Sequence, residues 1–205
     1  MIDKFCAYLT KKIRKEMPEV DDERAEVIMY GLQNIIGELP KGIIILIIAY
    51  ILGIFKLTVI SILIIAPYRC VSGGVHMKTH IGCIIYTLLL YSGSSLLGKY
   101  IVLTGNVKIM LAIAIWIFCM IMIKLYAPAD TENHPLVKKE VRKQLKTRAV
   151  IVSIIYCLLA IFAKPMWFVN ILMLMETYVV ISILPISYKI FRRRYNNYEE
   201  FNDEN

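Results

Sequence analysis

The chain has 205 residues, of which 58% are hydrophobic, with a formal net charge of +8 and a mean hydropathy of +0.61. That apolar content exceeds what a soluble domain needs, so the composition excludes a globular cytosolic protein and predicts a polytopic membrane protein. The positive charge does not point to nucleic acid, because the basic residues flank apolar runs, where they set orientation or meet anionic membrane lipid.

At the start of the chain Ile2, Phe5, Leu9 and Ile13 recur at spacings of three and four, with Lys4, Lys11, Lys12, Arg14 and Lys15 around them. This predicts an amphipathic basic helix, lying on a cytoplasmic membrane surface or packed on the protein's own helices. The charges leave no room for a removable signal peptide, so the N-terminus is expected to stay in the cytoplasm. The acidic stretch Pro18 to Glu26 breaks the pattern. Ala25 to Leu39 then reads as a second helix, which Pro40-Lys41-Gly42 is expected to end.

Gly42 to Pro67 is apolar except for Lys56, long enough for one tilted span or for two short passes broken near Lys56. Four further apolar segments follow at Ile81 to Leu97, Val107 to Ile123, Ala149 to Phe162 and Trp167 to Ser187. Lys138, Lys139, Arg142, Lys143, Lys146 and Arg148 fill the connection Tyr126 to Arg148, and Lys189 and Arg192 to Arg194 fill the tail. Gly98 to Asn106 and Ala163 to Met166 carry one lysine each. The positive-inside rule puts the two basic regions in the cytoplasm and the two short loops outside. Counting back, residues 69–80 are cytoplasmic. An even number of crossings must then precede Arg69, which favours a hairpin, a re-entrant pair or a crossing by Ala25 to Leu39 over a single span.

The predicted fold class is an all-α, polytopic integral membrane protein with about five to six membrane segments plus the N-terminal amphipathic helix. It is read as a single domain over residues 1–205, with cytoplasmic or interfacial helices at 1–41, a membrane core at 42–188 and a cytoplasmic tail at 189–205. The five cysteines are odd in number and scattered, which excludes a disulfide framework; Cys119 and Cys157, inside apolar runs, read as lipid-facing or core residues.

The remaining signal is a polar, glycine-bearing island from Arg69 to Cys83. It holds His76, His80, Cys70 and Cys83 in a chain with three histidines in all. His76 and Cys83 are a candidate base and nucleophile. On one unbroken helix they would share a face but stand about 10.5 Å apart along the axis, too far for a hydrogen bond. Pairing therefore requires His76 to leave the helix. Gly73-Gly74 provides the freedom, and Thr79 as an N-cap would set Cys83 in the first turns of the next helix, where the dipole favours a thiolate. His80 competes, since it lies three positions before Cys83. Zinc on His76, His80 and Cys83 lacks a fourth ligand, and a packing role for the island in a permease-like or scaffold protein stays open.

The block Arg69-x-x-x-Gly73-Gly74-x-His76 with Cys83 seven residues later resembles the signature of the accessory gene regulator B (AgrB) family of membrane cysteine endopeptidases. Gly31-Leu32-Gln33 and the segment Lys124 to Pro135 also resemble family segments. The resemblance implies that Cys83 is the nucleophile and His76 its base, with no catalytic role for His80, no metal and no cofactor. It makes Arg69, Gly73 and Gly74 supporting or substrate-positioning residues, with Gln33 as a third polar contributor. The implied partner is an AgrD-like precursor peptide of a quorum-sensing signal, cleaved at the C-terminal side of the signal and cyclised to a thiolactone or lactone. Lys138, Lys139, Arg142 and Lys143 would attract the acidic tail of such a precursor. Residence in the cell membrane with the site at the cytoplasmic face is expected, and a homodimer is compatible with the sequence.

Overall fold

Asp21 starts the first long helix: its carboxylate accepts a 2.8 Å hydrogen bond from the Arg24 amide, satisfying one of the orphan donors at the helix start. The computed structural model describes residues 2–17, 19–77, 79–132 and 135–201. By its internal contacts the chain divides into two compact units, Met1–Leu52 and Gly53–Asn205.

The first unit contains α1 (Ile2–Glu16) and α2 (Asp22–Ile51). α1 packs on α2 with Cys6 and Thr10 buried, while Phe5 and Tyr8 stay exposed. α2 runs straight through Pro40, contrary to the expected stop there. In water an internal proline costs roughly 3 kcal/mol. The apolar run Gly42 to Ile51 overrides that local signal, because an apolar backbone needs its hydrogen bonds satisfied within the segment and a helix does this. α2 ends at a turn in which Gly53 takes φ 66°, just ahead of Lys56. Gly42 to Pro67 is therefore not one span but is shared between two helices.

The second unit holds α3 (Phe55–Ser72), α4 (His80–Tyr100), α5 (Gly105–Tyr126), α6 (Lys139–Phe162), α7 (Met166–Ser182) and α8 (Pro185–Ile190). The first four of these are long and apolar enough to cross a membrane. α7 is shorter, at 17 residues, and lies innermost, packed on α3, α4, α5 and α6 with Val169, Ile171, Leu172, Met175, Val179 and Val180 buried. Leu63, Leu89, Met110 and Phe162 point outward from the surrounding helices. The protein is thus a multi-pass helical membrane protein, as its composition predicts.

Two boundaries differ from expectation. α6 begins at Lys139, well before the apolar run, so much of the basic connection is helical; lysine, arginine, glutamine and glutamate all propagate a helix well. α7 stops at Ser182 because Pro185 forces Leu184 into the extended region at ψ 143°. Within the core Ser153 donates a 2.6 Å hydrogen bond to the buried Glu176 carboxylate, and Tyr156 donates to the Ile64 carbonyl, so α3, α6 and α7 are tied by polar contacts. Glu176 is an ionisable residue inside an apolar helix that the sequence reading did not single out.

The two ends of this unit are built differently. At one, Asn170 donates to the carbonyls of Gly98 at 3.1 Å and Ile101 at 2.8 Å, and Lys108 donates to those of Ile161 at 3.1 Å and Ala163 at 3.2 Å. At the other, residues 73–77, 127–132 and 182–198 converge.

Candidate active site

The site forms where the α3 helix ends. Gly73 takes φ 71° and Gly74 φ 125°, the left-handed region that an L side chain rarely enters. Close backbone approach adds a second demand. Gly74 donates to the Ala129 carbonyl at 3.1 Å, Ala129 to that of Ser72 at 2.9 Å, and Val75 to that of Ser182 at 3.0 Å. A Cβ on Gly73 would sit 1.9 Å from the Ala129 oxygen, and one on Gly74 2.4 Å from the Ser182 Oγ. The double glycine lets the island pass between the α5–α6 connection and the end of α7.

Beyond the glycines the chain passes through Val75, His76 and Met77 outside any helix or strand, and its carbonyls are held one after another. Arg69 Nη2 donates to those of Gly74 at 3.3 Å and Val75 at 3.0 Å. Arg193 reaches the next two, with Nε on the His76 oxygen and Nη2 on that of Met77, each at 3.0 Å. The third guanidinium nitrogen of Arg193 donates to Glu132 Oε2 at 2.8 Å, and Glu132 Oε1 accepts from the Arg194 amide at 3.1 Å.

His76 is exposed and outside any helix, as a pairing with Cys83 requires. Thr79 caps α4: its Oγ1 accepts from the Gly82 amide at 3.1 Å, and its carbonyl accepts from the Cys83 amide at 3.0 Å. Cys83 is partly buried in the first turn of α4, and its carbonyl accepts 2.6 Å from the Thr87 hydroxyl. His80 opens the same helix, but its side chain lies outside the described residues, as does that of Gln33 in α2. None of the five cysteines is in a disulfide; Cys70 is exposed and Cys6, Cys119 and Cys157 are buried. Among the described residues no three His, Cys, Asp or Glu side chains are grouped to hold a metal ion.

The α5–α6 connection and the tail interlock next to the island. The buried Asp130 accepts through Oδ1 from the Asn197 amide at 3.0 Å and its Nδ2 at 3.3 Å, and through Oδ2 from the amides of Tyr198 at 2.8 Å and Leu136 at 3.4 Å. Burial pushes the Tyr195 phenol up to about 12, and burial, then the Asp130 charge, raises that of Tyr188, so both stay protonated near neutral pH. Arg142 Nη1 donates to the carbonyls of Leu136 at 2.6 Å and Val137 at 2.7 Å, with its guanidinium 4.0 Å from the centre of the Tyr198 ring. Lys138, Lys139 and Lys143 are exposed beside it.

A family model described as accessory gene regulator B matches residues 6–187. The chain belongs to the accessory gene regulator B family. Relatives named AgrB-like by likeness include one from Clostridium acetobutylicum, 28% identical over 201 residues and covering 98% of this chain and 94% of its own. Another, from Listeria monocytogenes, is 30% identical over 189 residues, covering 92% and 91% of the two chains. No solved structure matches. AgrB membership ties the chain to the accessory gene regulator quorum-sensing system.

Sequence reasoning quoted the AgrB-like segment Lys124 to Pro135 without giving Asp130 or Glu132 a task, and it counted Arg193 only as a topogenic charge. Apart from the Asp130–Leu136 bond, the side-chain contacts that tie them to the tail and the strap span 61 to 117 positions, and no periodicity within a segment signals contacts at that separation.

Proposed function

We propose that this chain is a membrane cysteine endopeptidase that cuts an AgrD-like propeptide at the C-terminal side of its signal and closes the signal into a ring. The observation that carries the reading is the split placement of His76 and Cys83: one on a strap outside any helix, the other in the first turn of a capped helix, with both backbones anchored.

His76 takes the Cys83 Sγ proton as the sulfur attacks the scissile carbonyl. The C–N bond breaks, the imidazolium returns the proton to the leaving amine, and the signal half is held on Cys83 as a thioester. A cysteine thiol within the substrate then attacks that thioester, forming the thiolactone and restoring Cys83; a serine hydroxyl would give a lactone. Exchange of one thioester for another is close to balanced, so ring closure needs no ATP provided water is kept from the acyl-enzyme. Arg69, Gly73 and Gly74 keep the strap in shape. The basic α5–α6 connection, with Lys138, Lys139, Arg142 and Lys143, supports a site at the cytoplasmic face of the cell membrane by the positive-inside rule, where its charge would attract an acidic precursor tail.

The test is trapping of the intermediate on the full chain in lipid vesicles, supplied with an AgrD-like propeptide. An adduct that maps to Cys83 and is released by hydroxylamine is expected, with none from Cys83→Ala. Cys83→Ser should yield no thiolactone, because an oxygen ester lies downhill of the product. An adduct on Cys70, or wild-type amounts of cyclic product from Cys83→Ser, would overturn the mechanism.

A further inference from the structure

We infer that Arg193, braced by Glu132, is a positioning residue for His76, so that the C-terminal tail is a working part of the catalytic site. The inference rests on the peptidase reading above and assigns a task to a segment beyond the stretch that the family match covers.

The strap that carries His76 has no secondary structure of its own to fix it. Its first half is held from within the membrane unit, by Arg69 on the Gly74 and Val75 carbonyls and by the Val75 amide on Ser182. The half that includes His76 is held from the tail, by Arg193 on the His76 and Met77 carbonyls. A planar guanidinium with donors in a rigid fork suits this task, since two adjacent carbonyls gripped at once fix both the position and the tilt of the peptide between them. An imidazole must stay within about 3 Å of the thiol it serves, and a displacement of about 1 Å at such a site costs on the order of a hundredfold in rate.

Arg193 is itself well placed. Its amide donates to the Tyr188 carbonyl at 2.8 Å, its side chain is 21% exposed, and its remaining nitrogen is paired with Glu132. Arg192 turns the chain with φ 52°, a left-handed conformation that is unfavourable for a residue with a side chain. The contacts that Arg193 makes on the strap and on Glu132 offset that cost.

The experiment is a double-mutant cycle on the full chain in vesicles, reading propeptide kcat and KM and the rate of Cys83 alkylation by iodoacetamide with the other cysteines replaced by serine or alanine. Arg193→Ala should lower kcat by at least about tenfold with little change in KM. Arg193→Lys, which offers donors without the fork, and Glu132→Gln, which keeps length but loses charge, should fall between it and wild type. Adding Arg193→Ala to His76→Ala should cause no further loss in alkylation rate, because a residue that acts through the imidazole has nothing left to position. Additive losses, or a fall in kcat that vanishes at equal folded fraction, would overturn the inference. So would an Arg193→Ala chain that cuts at the wild-type kcat, while the peptidase reading would stand. A wild-type chain that neither cuts the propeptide nor alkylates faster than His76→Ala would overturn both.

Discussion

The Tyr188 hydroxyl donates a 2.7 Å hydrogen bond to the main-chain carbonyl of Asp130, tying the helix after α7 to the connection between α5 and α6. The Asp130 carboxylate meanwhile takes amides from both sides, Leu136 ahead of α6 and Asn197 and Tyr198 in the tail. Removing it leaves buried donors with no acceptor, each worth roughly 1–3 kcal/mol. Asp130→Ala should therefore lower the melting temperature in detergent and lose the slow hydrogen exchange of the Asn197 and Tyr198 amides. Retained protection at those amides would show that the tail is held by other contacts.

Gly73→Ala and Gly74→Ala should each abolish processing and destabilise the protein. Positive φ alone costs an alanine about 1–2 kcal/mol, and the new methyl would meet the Ala129 oxygen or the Ser182 hydroxyl. Gly93→Ala is the contrast: an added Cβ there meets nothing within 4 Å, and alanine favours the α4 helix. Cleavage assays beside thermal melts would separate the three, and a functional Gly73→Ala chain would contradict the geometry.

His76→Ala should reduce cleavage at least about a hundredfold, the low end of what a general base contributes, whereas His80→Ala should spare most of it. EDTA should leave the rate unchanged. Equal losses at both histidines together with chelator sensitivity would identify a zinc site in place of the His76–Cys83 pair.

Within the basic segment the side chains should divide into two classes. Lys138, Lys139 and Lys143 are exposed, so reversing two of them should raise KM for an acidic precursor at low salt and converge with wild type as the screening length falls below about 8 Å. Arg142 holds two carbonyls and the Tyr198 ring, so Arg142→Ala should lower stability at any salt concentration. Steady-state kinetics over a salt series beside thermal melts distinguish the two. Lysine reversals without effect would leave those charges with orientation as their only task.

Apolar runs made α4, α5 and the membrane part of α6 legible in the sequence, and a threonine before a glycine-containing turn made the α4 cap legible. The end of α2 was not, because the helix continues through Pro40 into the apolar run Gly42 to Ile51, and tertiary context overrides a local stop signal of that kind. The island's two glycines, its exposed histidine and its capped cysteine could be found because they lie within one short segment. The grip of Arg193 on that segment could not, since contact across more than a hundred positions is decided by how α7 and α8 deliver the tail. Glu176 escaped for another reason: its partner, Ser153, looks like one more small residue in an apolar helix.

The short turns after α4 and α6 are each sealed by one side chain, Asn170 and Lys108, that spends its donors on backbone carbonyls. That end has its exposed polar backbone already satisfied, while the opposite end gathers the strap, the acidic clasp and the tail. On the reading proposed above, the chemistry belongs to that second end alone, where Arg69 and Arg193 take up the carbonyls of the strap.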